Sequence, residues 1–91
     1  MAAVRVRVRG RVQGVGFRWY VREAAQRAGL AGFVRNLPDG DVEIAASGDD
    51  AALEDFLKAV KRGPPGARVE TFERAPLADA DGLARPFAIV R

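Results

Sequence analysis

The fold is organised around one stretch of the sequence, Gly10-Arg11-Val12-Gln13-Gly14-Val15-Gly16-Phe17-Arg18. Before it, residues 4–9 alternate valine with arginine, a period-two pattern that is typical of a strand with one buried face. After it, apolar residues recur at the i, i+3, i+4 and i+7 positions counted from Val21, which is the spacing of one helix face. The stretch therefore predicts a turn that leads from a strand directly into a helix.

This turn has the composition of an anion-binding loop. Gly14 and Gly16 can adopt positive φ angles and leave their backbone N–H groups uncovered, and consecutive N–H groups in such a turn form a concave site for an anion. The following helix adds the partial positive charge and free donors of its N-terminus. Arg18 adds a permanent cation with a forked set of donors. We therefore expect a phosphate-binding loop, although without Arg18 the glycines would suit an ordinary tight turn equally well.

The loop differs from two common nucleotide-binding motifs. It is not a Walker A loop, because no Gly-Lys-Ser/Thr follows it. It is not a GxGxxG dinucleotide fingerprint either, because the third glycine position is Trp19.

The composition excludes several classes of function. The chain has 91 residues, the size of one domain, 1–91, with a modest core. It contains no cysteine and no histidine, which removes disulfides, thiolate nucleophiles, cysteine-type metal sites, the commonest metal ligand and the commonest general base. No stretch approaches the ~18 consecutive apolar residues of a membrane span, and the chain starts in strand pattern rather than in a signal peptide. We therefore expect a cytoplasmic protein that binds no membrane. We also expect it to be a monomer.

Turn and capping signals divide the rest of the chain. Residues 37–40, Leu-Pro-Asp-Gly, have the composition of a β-turn and predict a hairpin. Asp49 and Asp50 suit the N-terminus of a second helix, which Gly63 ends. The buried stripe of that helix is Leu53, Phe56, Leu57 and Val60. The other expected elements are strand one at 4–12, helix one at 18–28, strand two at 30–37, strand three at 42–46, strand four at 68–74, a surface loop at 76–82 and a final strand at 87–90.

The order βαββαβ, followed by a short C-terminal strand, indicates the fold. Such a chain packs by default as a ferredoxin-like α+β two-layer sandwich, with both helices on one face of an antiparallel sheet. Strands one and two then run in the same direction with strand three between them, so their C-terminal ends lie at one edge. This places Asn36, which shares a strand face with Val34, beside the glycine loop. The geometry alone leaves open whether Asn36 serves a site or forms the turn before Pro38.

Two segments resemble the signatures of the acylphosphatase family. The first is the glycine stretch at 10–18, and the second is Gly32-Phe33-Val34-Arg35-Asn36 followed by Asp39-Gly40. Both occur in the family's order, and the βαββαβ pattern matches along nearly the whole chain. The family usually has tryptophan in place of Phe33, and its eukaryotic members often end in an aromatic residue, whereas this chain ends Ile89-Val90-Arg91.

The resemblance implies an enzyme that hydrolyses the carboxyl–phosphate anhydride of a small acyl phosphate without a metal or other cofactor. Arg18 would bind the phosphoryl group and Asn36 would position the attacking water. The backbone N–H groups that would hold the phosphoryl oxygens belong to Gln13, Gly14, Val15, Gly16 and Phe17. An asparagine carboxamide is able to accept a hydrogen bond from water and set its line of attack. Asp39 is a candidate base, but it fits a turn residue better.

Two other functions remain open from the sequence. Ferredoxin-like sheets also bind RNA on exposed strand aromatics, but the middle strand here carries Asp41 and Glu43 and no aromatic residue, so we expect no nucleic-acid partner. The arginines of strand one, at positions 5, 7 and 9, share a face that we interpret as the solvated side of the sheet.

The other alternative is a degenerate domain that binds carbamoyl phosphate or another phosphoanion without turnover.

Overall fold

The computed structural model describes residues 2–78 and 82–91, and its elements follow the expected order. The chain forms β1 (Ala2–Arg11), α1 (Phe17–Arg27), β2 (Ala31–Asn36), β3 (Val42–Gly48), α2 (Asp50–Arg62), β4 (Arg68–Pro76) and β5 (Ala88–Ile89).

The strands form one sheet in the order β4-β1-β3-β2-β5. β3 pairs antiparallel with both β1 and β2, so β1 and β2 run in the same direction on either side of it. β4 pairs antiparallel with β1 at one edge, and the short β5 pairs parallel with β2 at the other. This is the split βαβ arrangement with an added C-terminal strand, so the ferredoxin-like prediction is confirmed.

The core lies between the sheet and the two helices. Val4, Val6 and Val8, the valines of the alternating pattern, are buried, and so is Val12. The predicted stripe of α2, Leu53, Phe56, Leu57 and Val60, is buried as well. Full burial of an aliphatic side chain contributes about 1.5–3 kcal/mol, so these alternating and helical patterns supply much of the packing energy that orders the fold.

Most differences from the expected boundaries are small and have local causes. α1 begins at Phe17 because Gly16 takes the left-handed cap position, with φ 71° and ψ 25°. β3 continues to Gly48, and β4 continues to Pro76, which pairs with Val4. A proline is tolerated there because β4 is an edge strand. The surface loop expected at 76–82 is thus shortened, and its residues 79–81 lie outside the described residues.

The outer face of the sheet carries an ionic network that the sequence analysis did not predict. Asp41 and Glu43 are only 4% and 3% exposed. Asp41 accepts hydrogen bonds from Arg7 Nε at 2.6 Å and Arg9 Nε at 3.0 Å. Glu43 accepts from Arg5 Nε at 2.8 Å and Arg35 Nε at 2.6 Å. The exposed arginines therefore cover the two carboxylates, and this face is an ion-paired layer rather than a row of free cations.

These contacts shift the ionisation of both acids. The hydrogen bond from Arg9, and then that from Arg7, lower the pKa of Asp41 below its usual value. Burial raises the pKa of Glu43, but the hydrogen bonds from Arg35 and Arg5 outweigh it, so the net pKa is also lowered. Both groups are held ionised by their partners.

In the described part of the chain, neither helix is long and apolar enough to cross a membrane.

Candidate active site

The glycine loop leaves β1 and enters α1 over residues 12–16. Gly14 and Gly16 both have φ 71°, as predicted for this turn. A Cβ at either position would meet no atom within 4 Å, so the need for glycine is conformational rather than steric. The loop therefore keeps its shape only with residues that tolerate the left-handed region.

The N-terminus of α1 is open. Gly16 supplies no side-chain cap and the first turn contains no acidic residue. The other helix shows the opposite arrangement, because Asp49 caps α2 by accepting from Ala52 N at 3.1 Å. The first-turn N–H groups of α1 thus keep free donors and a partial positive charge, which favour an anion.

A cleft of about 240 Å³ lies at this helix end. It is smaller than the ~300–1,000 Å³ pockets that hold drug-sized ligands, and among the described residues no carboxylate lines it. Arg18 is the charged residue of the lining and has no ion-pair partner within residues 2–78 and 82–91. The lining consists of Val12, Gln13, Gly14, Gly16, Phe17, Arg18, Trp19 and Ile89. An unpaired cation and open helix donors in a small cleft suit a phosphate-sized anion.

The predicted loop residues do not all contribute side chains to this cleft. Gln13, Gly14, Gly16 and Phe17 belong to the lining, but the Phe17 ring is buried in the core. Val15 is absent from the lining, and its side chain packs against the core. Val15 and Phe17 therefore offer the cleft their backbone at most.

Asn36 lies beside the loop, as the topology predicted. Its Nδ2 donates to Gln13 Oε1 at 3.1 Å, and Gln13 Nε2 donates to the carbonyl oxygen of Gly40 at 2.9 Å. Asn36 itself does not line the cleft, and Gln13 connects it to the residues that do. Its Oδ1 is buried and has no hydrogen-bond partner. The structure thus places Arg18 and the loop in the cleft and joins Asn36 to the loop through Gln13, and the Asn36 amide oxygen has no protein partner.

Asp39, the candidate base, is engaged elsewhere. Its Oδ1 accepts from the backbone N–H of Asp41 at 3.0 Å, and its Oδ2 accepts from Arg7. The hairpin turn itself is closed by a hydrogen bond from Gly40 N to Leu37 O at 3.0 Å. Asp39 therefore acts as a turn residue tied to the outer face of the sheet.

Sequence reasoning missed three apolar residues of the cleft, Val12, Trp19 and Ile89. Trp19 follows Arg18 directly and is 57% exposed, an unusual state for so large an apolar side chain. Its position directly after Arg18, the residue predicted to bind phosphate, was the signal that could have placed it in the cleft. Ile89 reaches the cleft because β5 pairs with β2 in register with Val34, and Val90 N donates to Val34 O at 2.9 Å. No local pattern indicates that contact.

The sequence model of the acylphosphatase family matches residues 4–89. The chain belongs to the acylphosphatase family. This confirms the predicted enzyme class, a hydrolase that acts on acyl phosphates. An acylphosphatase from Latilactobacillus sakei subsp. sakei is 48% identical over 97% of this chain and 96% of its own length.

Solved structures show the same acylphosphatase fold. The crystal structure of acylphosphatase from Bacillus subtilis superimposes with a TM-score of 0.93 at 44% identity, covering 100% of both chains. The chain also matches part of full-length HypF in its phosphate- and nucleotide-bound form, with a TM-score of 0.84 at 27% identity. That match covers 99% of this chain but 12% of HypF, so a similar fold also occurs inside a much longer protein.

Proposed function

We propose that this acylphosphatase hydrolyses the carboxyl–phosphate bond of small acyl phosphates at the cleft beside Arg18, with Asn36 orienting the water. The products are a carboxylate and inorganic phosphate. One observation carries the assignment of the site. The guanidinium of Arg18, unpaired within residues 2–78 and 82–91, shares a small cleft with the open N-terminus of α1.

The phosphoryl group binds to Arg18 and to the backbone N–H groups of residues 13–17. A planar guanidinium grips two phosphoryl oxygens at once, whereas the loop donors surround the third. Phosphoryl transfer requires mainly positioning and stabilisation of charge on these oxygens, so fixed donors are the principal catalytic device. Because an acyl phosphate has a good leaving group, a weak nucleophile such as water is sufficient.

The water is held by the carboxamide oxygen of Asn36. It attacks phosphorus in line with the carboxyl oxygen, the phosphorus–oxygen bond to that carboxyl group breaks, and its electron pair leaves with the carboxylate. The proton of the water passes to a phosphoryl oxygen, because among the described residues no carboxylate lines the cleft to accept it.

The alternative is a phosphoanion-binding domain without turnover. The fold of the chain also matches part of HypF, a much longer protein whose structure was solved with phosphate and nucleotide bound. The two functions differ in one product. An acylphosphatase releases inorganic phosphate from acetyl phosphate, whereas a binding domain does not accelerate that release.

The test measures phosphate release from acetyl phosphate together with the affinity for inorganic phosphate. Arg18→Lys keeps the charge but loses the planar fork, so we expect turnover to fall ~10²-fold, as for other transition-state donors, and phosphate affinity to weaken. Arg27→Lys, in the last turn of the same helix, is the matched control and should behave as the parent protein. A near-normal Arg18→Lys variant would move the phosphate site elsewhere. Phosphate binding without phosphate release would establish the binding domain instead.

The proposal also holds that the enzyme works as a monomer. The loop, Arg18 and Asn36 all come from one chain and meet at one edge of its sheet, so the site needs no residue from a second copy. A cytoplasmic location stays a prediction from the sequence.

A further inference from the structure

We propose that the side chain of Gln13 is a positioning residue, which orients the Asn36 carboxamide so that its oxygen faces the attacking water. This inference rests on the water-orienting role proposed for Asn36. It assigns a function to the Gln13 side chain that is separate from the role of its backbone N–H group in phosphate binding.

The orientation follows from a chain of hydrogen bonds that begins at the hairpin turn. The carbonyl oxygen of Gly40 is able only to accept, so Gln13 must direct its NH2 group toward it, at 2.9 Å. The opposite end of the Gln13 amide is then an acceptor, and Asn36 must meet it with its own NH2 group, at 3.1 Å. Reversing either amide would set two donors or two acceptors against each other. A backbone carbonyl thus determines, through Gln13, which end of Asn36 is left free.

The free end is the one that the reaction requires. Asn36 Oδ1 is buried and has no protein partner, a state that is rare for a buried polar atom in a folded protein. A water molecule is a donor that such an oxygen would bind. If the amide were reversed, its NH2 group would occupy this position and would repel the hydrogens of the attacking water.

Gln13 is well suited to this task because little else holds its side chain. It is exposed, it lies in the glycine loop, and both ends of its amide are used by Gly40 and Asn36. The carbonyl that anchors it belongs to a turn closed by its own hydrogen bond from Gly40 N to Leu37 O at 3.0 Å. The hairpin between β2 and β3 therefore serves as a rigid reference for the site.

The first test is Gln13→Met, which preserves length but removes both hydrogen bonds. We expect kcat for acetyl phosphate to fall ~10-fold, the order of one neutral hydrogen bond. KM and the affinity for inorganic phosphate should stay within ~2-fold, because an interaction used only in the transition state affects turnover rather than binding. Gln26→Met is the matched control, since it also removes an amide-to-carbonyl bond, from Gln26 Nε2 to Phe87 O at 2.9 Å, at the far end of α1. It should keep kcat.

A double-mutant cycle with Asn36→Ala separates an indirect role from a direct one. If Gln13 acts through Asn36, adding Gln13→Met to Asn36→Ala should cost less than ~2-fold in kcat. Losses that multiply in the double variant would overturn the proposal. Full turnover in Gln13→Met, together with impaired turnover in Asn36→Ala, would also overturn the positioning role of Gln13. That result would leave the proposed function intact. Full turnover in Asn36→Ala would instead overturn the water-orienting role and this inference with it.

Nuclear magnetic resonance supplies a readout that is independent of activity. The chain contains one asparagine and two glutamines, so the spectrum should show only the side-chain NH2 pairs of Asn36, Gln13 and Gln26. In Gln13→Met the Asn36 pair should shift upfield and exchange faster with solvent, whereas the Gln26 pair should stay in place. An Asn36 pair that is unchanged would contradict the hydrogen bond on which the proposal depends.

Discussion

Replacing Asn36 by alanine should separate function from stability. The change removes one hydrogen bond, from Asn36 Nδ2 to Gln13 Oε1 at 3.1 Å, and one buried acceptor that has no partner. The lost bond costs about 1 kcal/mol. The backbone pairing of Asn36 with Val42 does not depend on the side chain. We therefore expect the free energy of unfolding to fall by only about 1 kcal/mol.

Turnover should respond far more strongly than stability. If the carboxamide oxygen orients the water, kcat for acetyl phosphate should fall at least ~10²-fold, a loss similar to that caused by removing one oxyanion-hole donor. The affinity for inorganic phosphate should hardly change, because phosphate is held by Arg18 and the loop. The assay is acetyl phosphate turnover, phosphate binding and the urea midpoint, all measured on the same preparation.

Asp39→Ala is the matched control in the same hairpin. It removes the hydrogen bond from Asp41 N at 3.0 Å and the ion pair with Arg7, so it should lower the urea midpoint while each folded molecule keeps its turnover. The reasoning is refuted if Asp39→Ala loses turnover and Asn36→Ala instead shows the lower urea midpoint with normal turnover. An Asn36→Ala protein that unfolds more easily but turns over normally would make Asn36 the turn residue.

Three further outcomes are expected. Activity should persist in excess EDTA within ~2-fold, because the cleft offers cationic and N–H donors rather than the oxygen ligands that Mg²⁺ requires; turnover that stops and returns with added metal would contradict this. Asp41 and Glu43 have folded pKa values below their unfolded values of ~3.9 and ~4.3, so their contribution to stability is present above pH ~4 and is lost as the pH falls through the folded pKa. At pH 7 the urea midpoint of Asp41→Asn should accordingly be lower than that of the parent protein, and the two midpoints should converge in acid. A difference in midpoint that does not change with pH would contradict this contribution to stability. The fluorescence of Trp19, the single tryptophan, should change when inorganic phosphate binds the cleft, and Arg18→Lys should shift the titration to higher phosphate concentrations, whereas a silent titration would place the anion elsewhere.

Local patterns were sufficient for the elements and for most of the loop. The alternation of Val4, Val6 and Val8 with arginine predicted a strand with one buried face, and all three valines are buried. The glycines at 14 and 16 predicted positive φ angles, and both were found at 71°. Such features depend on steric preferences within a few residues, so the local sequence is sufficient to predict them.

Contacts between distant segments were harder to predict. The ferredoxin-like order indicated that Asn36 lies near the loop, but not that Gln13 meets it, a contact between residues 23 positions apart. The ion pairs of Asp41 and Glu43 depend on the register of β3 against its neighbours. A shift of one residue would exchange the faces of every side chain, so the charge pattern alone does not show which acid meets which arginine.

The sequence by itself determined a strand, a glycine loop and a helix that opens with Arg18, because these follow from short-range periodicity and backbone freedom. It also determined the family, through two motifs in order. Only the tertiary structure decided that Ile89 lines the cleft, that Trp19 stays exposed, and that the Asn36 oxygen is the free end of its amide. The physical reason is that hydrogen-bond direction and side-chain contact are set by strand order and register, which join residues that no local pattern connects.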